Sequence, residues 1–600
     1  MRQILLLIGF LFACPIFLHG QNNLLICSKL VTEREEKTNE ILSKSDTYNS
    51  VEFVDVNLDK ILEYEEFILQ IDGKEIKIIK ERIDARGINN YVFIGGNNEG
   101  CRVLLSVLDD DIQGVVETAE EVFTLETVDR QQYALITVDY SKLREACEYL
   151  QEEYHSSYDG LDEQKIVSEM ENVEAKTVSP ILRSASAYEC KIRVLVLYTP
   201  SADSSVSNIK NTILTAVALT NQSFANSQID YQIELVHIGL TNYTESGGTA
   251  LDLSRFRNIG DGYMDEVSSL RNKYSADICV LLTYDKNACG LARGVGVQAA
   301  NAYCLVSTYS TCATSNYSFA HEIGHLLGCR HDTYVDNNTT PYAYGHGYVH
   351  PSNTWRTIMA YVNACGSCPR LLYWSNPNIT YNGAPMGTST TNDNTRVWNE
   401  RSDIVIAFKQ PDNDITIINS DISNAQYADV IAKQNIATSG MVNTVSGTTF
   451  NMRAGNSITL QPDFSVQVGA EFSAQIDNVY DCEECALSAP IVIIQNLSED
   501  VDDLEDNRKE SAITYYVLSD FSSENINIAY SLDTEAIISI ELVDLFGQEK
   551  KIILPKQKQQ EGSYKLLVSV SDLSEGTYFL VISSTDFSET VKKIIVNKKI

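Results

Sequence analysis

The chain has 600 residues, 44% of them hydrophobic and 21% charged, with 81 acidic side chains against 46 basic ones and a formal net charge of −35. That length allows about three to five domains with ample core. So acidic a surface argues against a nucleic-acid partner, because phosphate binding needs basic side chains, and beyond the N-terminus no stretch is apolar enough to span a bilayer.

Met1-Arg2-Gln3, the apolar run Ile4–Leu18 and the break at His19-Gly20-Gln21 read as a secretory signal peptide. Export permits disulfides, and the chain has 14 cysteines. Cys14 leaves with the signal, eight cysteines lie between Cys190 and Cys368, and Cys482 and Cys485 form a pair. If the later groups pair internally, one of Cys27, Cys101 and Cys147 is left over. Residues 21 to 185 contain strand-like runs at 67–69, 91–94, 103–107 and 133–138 and no catalytic constellation. This region ends in a polar, aperiodic stretch, 171–186, that reads as a cleavable linker containing Arg183.

From Cys190 the pattern changes. Apolar runs at 192–197, 233–238 and 278–282 predict buried strands, and helical spacing relates Ile209, Ile213, Val217 and Phe224, then Met264, Val267, Leu270 and Tyr274. Alternating strands and helices predict an α/β layer sheet. A helix over about 315–327 follows, and then a loop-rich stretch to 410. Short alternating runs punctuated by Gly440, Gly447, Gly455 and Gly469 predict a small all-β module, possible as a solenoid, over 424–477. An acidic linker at 499–506 leads to a last β-like segment with runs at 537–543, 564–570 and 578–582.

The chemistry concentrates in His321-Glu322-Ile323-Gly324-His325-Leu326-Leu327-Gly328-Cys329-Arg330-His331-Asp332. Four residues apart on a helix, His321 and His325 share one face and can bind one Zn²⁺. His331 lies six residues further on and reaches the same ion only if the helix stops, which Gly328 permits by taking positive φ. Three protein ligands leave a fourth position for water, as in catalytic zinc sites. Glu322, beside the first ligand, can serve as general base on that water and pass the proton to the leaving amine. Cys329 reads as a disulfide partner, and His346 and His350 as supporting or surface residues. Nothing in the pattern indicates a Ca²⁺ site.

This stretch resembles the extended zinc signature of the metzincin metallopeptidases, and Gly328 and Asp332 resemble its adamalysin/reprolysin branch. Thr357-Ile358-Met359-Ala360-Tyr361 resembles the Met-turn, with Met359 beneath the metal. Tyr361 sits where related families place a tyrosine near zinc; oxyanion support and core packing are both open for it. The resemblance implies a metzincin α/β domain, 186–410, with a twisted sheet, a zinc helix and a loop-rich C-terminal subdomain. Before it come a signal peptide, 1–20, and a mixed propeptide, 21–185. After it come a small stacked β module, 411–490, an acidic linker, 491–510, and a β-sandwich, 511–600, that resembles a type IX secretion sorting domain at Leu545-Phe546-Gly547-Gln548, Gly576–Leu580 and Lys592-Lys593-Ile594.

By analogy, Tyr303–Ser307 is the edge strand that receives an extended peptide, and the residues after Met359 wall the pocket for the side chain following the cut. The implied function is a secreted, latent zinc endopeptidase acting on proteins or peptides and exported with the type IX machinery, without a transmembrane anchor. Cys101 is the candidate thiol that plugs the fourth metal position, with Cys27 and Cys147 as rivals. A pappalysin-like peptidase and a surface adhesin with a vestigial metal site remain as alternatives. Substrate specificity and oligomeric state are not legible.

Overall fold

Runs such as Ile192–Tyr198 and Ile278–Thr283 have no polar face, so both sides of each strand must be covered, and they sit inside a layered sheet. The computed structural model describes residues 23–149 with short gaps, 191–476 apart from residue 367, and the strands between 513 and 596. The expected signal segment, the linker around Arg183, Cys482, Cys485, the acidic linker and residues 545–548 lie outside the described residues. Residues 1–490 and 491–600 form two compact units.

In the first unit, nine strands close into a barrel, where the sequence predicts only a mixed region. They are β1 to β9: Asn23–Cys27, Tyr48–Val56, Glu66–Ile71, Lys74–Gly87, Asn90–Gly96, Arg102–Leu108, Asp111–Glu117, Val122–Asp129 and Gln132–Val138. Helix α1 (Arg34–Lys44) lies between the first two. Strand alternation divides the barrel residues between two cores. Phe93, Val103 and Leu105 point into the barrel, whereas Val92, Ile94 and Leu104 join the core of the following domain. The apolar runs in β5 and β6 are thus strands covered on both faces.

Polar contacts tie the same surfaces together. Ser106 donates to Asn211 (2.8 Å), Arg82 to Gln222 (2.8 Å) and Tyr317 to the Glu117 carboxylate (2.6 Å).

Burial pushes the carboxyl of Glu126 up to about 7, with Asp111 adding to the rise and Lys44 opposing it. Burial also raises Glu117 and Asp111. A raised carboxyl favours the folded state fully below the unfolded pKa, and that contribution disappears as pH rises through the folded value. The barrel should therefore be less stable at about pH 8 than at about pH 5. Thermal unfolding at the two pH values checks this, and equal or greater stability at the higher one would contradict it.

The following domain is built on β11 to β15, Ile192–Tyr198, Ile233–Leu240, Ile278–Thr283, Gly290–Ala292 and Tyr303–Ser307, and β10, Cys147–Tyr149 from the preceding segment, adds to its sheet. In space they run β10-β14-β15-β13-β11-β12, with β14 antiparallel to β15 and the other neighbours parallel. Helix α2 (Ile209–Ser227) covers one face, capped at its start by the Asn208 side chain. Helix α3 (Ser318–Leu327) and helix α4 (Asn394–Ile406) pack near it around Phe224, Trp374 and Trp398.

Beyond β12 the same sheet continues. Ala425–Ala432 pairs antiparallel with β12, and Thr449–Ala454 and Glu471–Ile476 follow in parallel. Register advances 22 residues per step, from Tyr427 to Thr449 to Glu471. A second face, through Asp414–Ile417, Asn435–Thr438 and Ser457–Thr459, and a third, through Val442–Thr444 and Phe464–Val466, repeat the parallel stacking. The result is a short three-faced stack with Phe450, Phe464 and Phe472 in contact.

The second unit has two antiparallel sheets. One contains Ile513–Leu518, Asn525–Leu532 and Gly562–Ser569. The other contains Lys550–Gln559, Ala536–Asp544, Gly576–Ser584 and Thr590–Val596, with Ile538, Ile540 and Leu542 buried at alternating positions.

Candidate active site

Helix α3 carries two of the three histidines and stops where the third requires it to. Gly328 has φ +122°, and its N–H donates to the carbonyls of Gly324 (3.1 Å) and His325 (2.9 Å). That closes the last turn and sends the chain back, a conformation costly for any residue with a Cβ. His331 consequently returns to the helix. Its Nε2 lies 2.9 Å from Nε2 of His325 and 3.2 Å from Nε2 of His321.

The other ring nitrogens fix the tautomers. Nδ1 of His321 donates to the Ile358 carbonyl (3.0 Å), and Nδ1 of His325 to the Cys329 carbonyl (2.8 Å). A carbonyl can only accept, so both Nδ1 atoms carry the proton and both Nε2 atoms present lone pairs. Lone pairs converging this closely fit a shared cation, since tetrahedral zinc–nitrogen bonds of about 2.0–2.1 Å put ligand nitrogens roughly 3.3 Å apart. All three imidazoles are buried, and burial holds each of them below the usual histidine range. Neutral, buried imidazoles are the form that binds a metal. Among the described residues, this is the one group of three or more histidine, cysteine or acidic side chains placed to hold a metal.

Glu322 follows the first ligand on α3 and is fully buried. A Cβ built on Gly290 would stand 2.4 Å from Oε1 of Glu322, so the backbone of β14 passes directly over the carboxylate. Met359 is also fully buried, with its sulfur against the helix at Gly324. Asp332 ties the third-ligand loop to the turn below it: one carboxylate oxygen accepts from the Tyr361 N–H (2.8 Å) and the other from the Tyr334 N–H (3.0 Å). The ring of Tyr361 lies 4.2 Å from that of His331. His346 is buried and donates through Nδ1 to the His331 carbonyl (2.8 Å), a supporting position, whereas His350 stacks on Trp355.

Three expectations are corrected. Tyr303–Ser307 is not the edge strand, because it lies between β13 and β14 with all five residues buried; β14 is the edge of this domain's own sheet. Cys101 does not approach the metal. It is packed in the barrel core with a thiol pushed up to about 12 by burial, and its N–H is bound by Asn97. Cys329 is a buried free thiol instead of a disulfide partner, as are Cys279 and Cys304. The described disulfides join Cys289 to Cys312 and Cys365 to Cys368.

Sequence reasoning also missed Gly290, Arg356 and Arg370. Arg356 donates to the carbonyls of Cys368 (3.2 Å) and Ala360 (2.5 Å). Arg370 donates to the carbonyl of Asn316 (2.7 Å), its side-chain oxygen (3.2 Å) and the carbonyl of Ala360 (3.1 Å). Buried arginines in irregular chain leave no periodic signal; only the tertiary fold shows that these two bind the Met-turn in place.

A metal-ready histidine triad, a carboxylate beside it and a sheet edge passing above define a metal-dependent peptidase. Residues 188–375 match the description "Metallo-peptidase family M12", and residues 522–597 match "Secretion system C-terminal sorting domain". The chain is 36% identical over 392 residues to a protein of Xanthomonas campestris named peptidyl-Asp metalloendopeptidase, covering 62% of this chain and 89% of that one. Proteins of the same name from Stenotrophomonas maltophilia (48% identity, 38% of this chain and 55% of the relative) and Pseudomonas fragi (41%, 32% and 99%) are also similar. The chain belongs to metallopeptidase family M12. Its C-terminal sorting domain marks it for type IX secretion to the cell surface or the extracellular space. Among the described residues, no helix is long and apolar enough to cross a membrane.

Proposed function

We propose that this chain is a zinc endopeptidase made in latent form, which hydrolyses the bond joining a peptidyl group to an aspartate. The observation that carries the reading is the convergence of three Nε2 atoms beside Glu322, under a sheet edge. Zinc, when bound by His321, His325 and His331, lowers the pKa of a water and polarises the scissile carbonyl. Glu322 takes a proton from the attacking water as its oxygen bonds to the carbonyl carbon, and delivers a proton to the nitrogen as the C–N bond breaks. Ile358 and Cys329 hold two of the imidazoles in the binding tautomer. Asp332 fixes the backbone at Tyr361, and the Tyr361 hydroxyl supports the developing oxyanion. The aspartate preference comes from the relatives' name.

Latency rests on the sheet edge. A peptide substrate that adds a strand needs the free side of β14, and β10 occupies it, with Cys147 opposite Gly290, Glu148 opposite Leu291 and Tyr149 opposite Ala292. In this reading residues 21–185 are a propeptide whose barrel carries that strand, 411–490 is a stacked module and 511–600 a sorting sandwich. A vestigial-site adhesin would not need Glu322, and the matching description favours family M12 over a pappalysin.

The test uses the full chain before and after processing, on a denatured protein. The processed form should contain zinc, lose activity to chelator, and generate products whose new N-termini are aspartate. The unprocessed form should be inert. Cleavage without aspartate at the new termini would remove the specificity, and activity in the unprocessed chain would remove the latency.

A further inference from the structure

An enzyme that recognises aspartate beside the scissile bond needs a cation within reach of that side chain. If the aspartate nitrogen is the leaving group, its carboxylate can lie no more than about 5–6 Å from the carbonyl carbon under attack, given standard bond lengths. The recognising cation must therefore stand close to the metal ligands. Three buried arginines belong to the segments that build the site.

Arg330 is ion-paired with Asp336 at 2.8 Å, with both side chains buried, so its charge is already compensated. Arg356 is occupied by the carbonyls of Cys368 and Ala360. Arg370 stands between the segment leading into the zinc helix, through Asn316, and the residue after Met359, through Ala360.

Resting on the proposed aspartate preference, we infer that Arg370 is the specificity-determining residue: its guanidinium, held between the Asn316 segment and the Met-turn, receives the side-chain carboxylate of the substrate aspartate. Three hydrogen bonds hold the guanidinium in place before substrate arrives, so little side-chain entropy remains to be lost on binding. A planar, permanently charged group also suits a carboxylate better than a flexible ammonium would. In the unprocessed chain Arg370 is 2% exposed, while β10 lies along the edge that substrate would use. Aspartate would thus be selected by a fixed charge close to the metal. The neutral amide of an asparagine at the same position would leave that charge uncompensated.

The experiment compares the zinc-loaded, processed enzyme on peptides that differ only in the residue after the cut, as aspartate, asparagine, glutamate or leucine. Arg370→Lys and Arg370→Gln are measured beside wild type and Arg356→Lys, with zinc content and thermal midpoint recorded for each. The expected result is a fall of about 30-fold or more in the aspartate-over-asparagine ratio of kcat/KM for both Arg370 variants, the penalty typical of a lost buried charge contact, with the ratio kept in Arg356→Lys. An unchanged ratio in the Arg370 variants, or a loss confined to Arg356→Lys, would overturn the inference and leave the peptidase reading intact. A wild-type enzyme without aspartate preference would instead remove the reading on which it rests. Should the Arg370 variants fail to fold, a crystal of wild type with the dipeptide Asp-Leu decides the matter. Its side-chain carboxylate should lie about 3 Å from Arg370, and a carboxylate bound elsewhere would refute the assignment.

Discussion

Glu322→Gln is expected to lower kcat/KM by about 10²–10⁴-fold, the range for loss of a positioned general base, while bound zinc stays unchanged. The substitution keeps the shape of the side chain and removes its ability to accept a proton from water. His321, His325 and His331 are the side chains placed to hold a metal, and the two tautomer-fixing bonds go to the carbonyls of Ile358 and Cys329, so these described bonds do not run through the carboxylate. Zinc analysis of the purified variant separates the two roles. A variant that keeps both zinc and full activity would refute the assigned role of Glu322. One that loses zinc would show that the carboxylate supports the ligands instead of the reaction.

Gly290→Ala should reduce kcat by about 10²-fold, the loss typical of a catalytic group misplaced by about 1 Å. The added Cβ would stand 2.4 Å from Oε1, 2.6 Å from Cγ and 2.7 Å from Cδ of Glu322. No carbon–oxygen or carbon–carbon contact tolerates such distances, and the easiest relief is for the flexible Glu322 side chain to swing away. The fold should therefore suffer little while the reaction suffers much. Gly248→Ala is the control, since a Cβ there meets nothing nearer than 3.8 Å. Thermal midpoints close to wild type in both variants, with activity lost in one, are the predicted outcome. Full activity in Gly290→Ala would mean that the carboxylate works from another position.

The histidine site was legible because its geometry is local. A four-residue spacing, a glycine and a six-residue step suffice to bring His321, His325 and His331 together without knowledge of the rest of the chain. The sheet edge was not. Gly290–Ala292 is three residues long, too short for any alternation to register, so the longer run Tyr303–Ser307 drew the assignment. Its unbroken apolar character is the mark of an interior strand, and could have excluded it from the edge.

Cysteine counting failed for a different reason. It leaves one early thiol over, as Cys101 is, but assumes that the later group pairs internally, whereas Cys279, Cys304 and Cys329 are buried and unpaired, where a thiol behaves as a small apolar side chain. Arg370 is the opposite case: a charged residue in irregular chain, given its place only by carbonyls that come from distant segments.

The stacked strands after β12 have a consequence for reach. Successive coils of the stack are offset by 21 or 22 residues, and each added coil lays one more strand on the faces it reaches. Neighbouring strands are about 4.8 Å apart, so the stack works as a ruler with a fixed graduation. Inserting or deleting one coil beyond Thr449–Ala454 would move the chain's exit from the stack by one strand spacing without altering the peptidase sheet, which pairs with Ala425–Ala432 and reaches the next coil through the ion pair of Glu234 with Arg453. The reach of the stack beyond the peptidase sheet can thus be tuned in whole steps, independently of the chemistry.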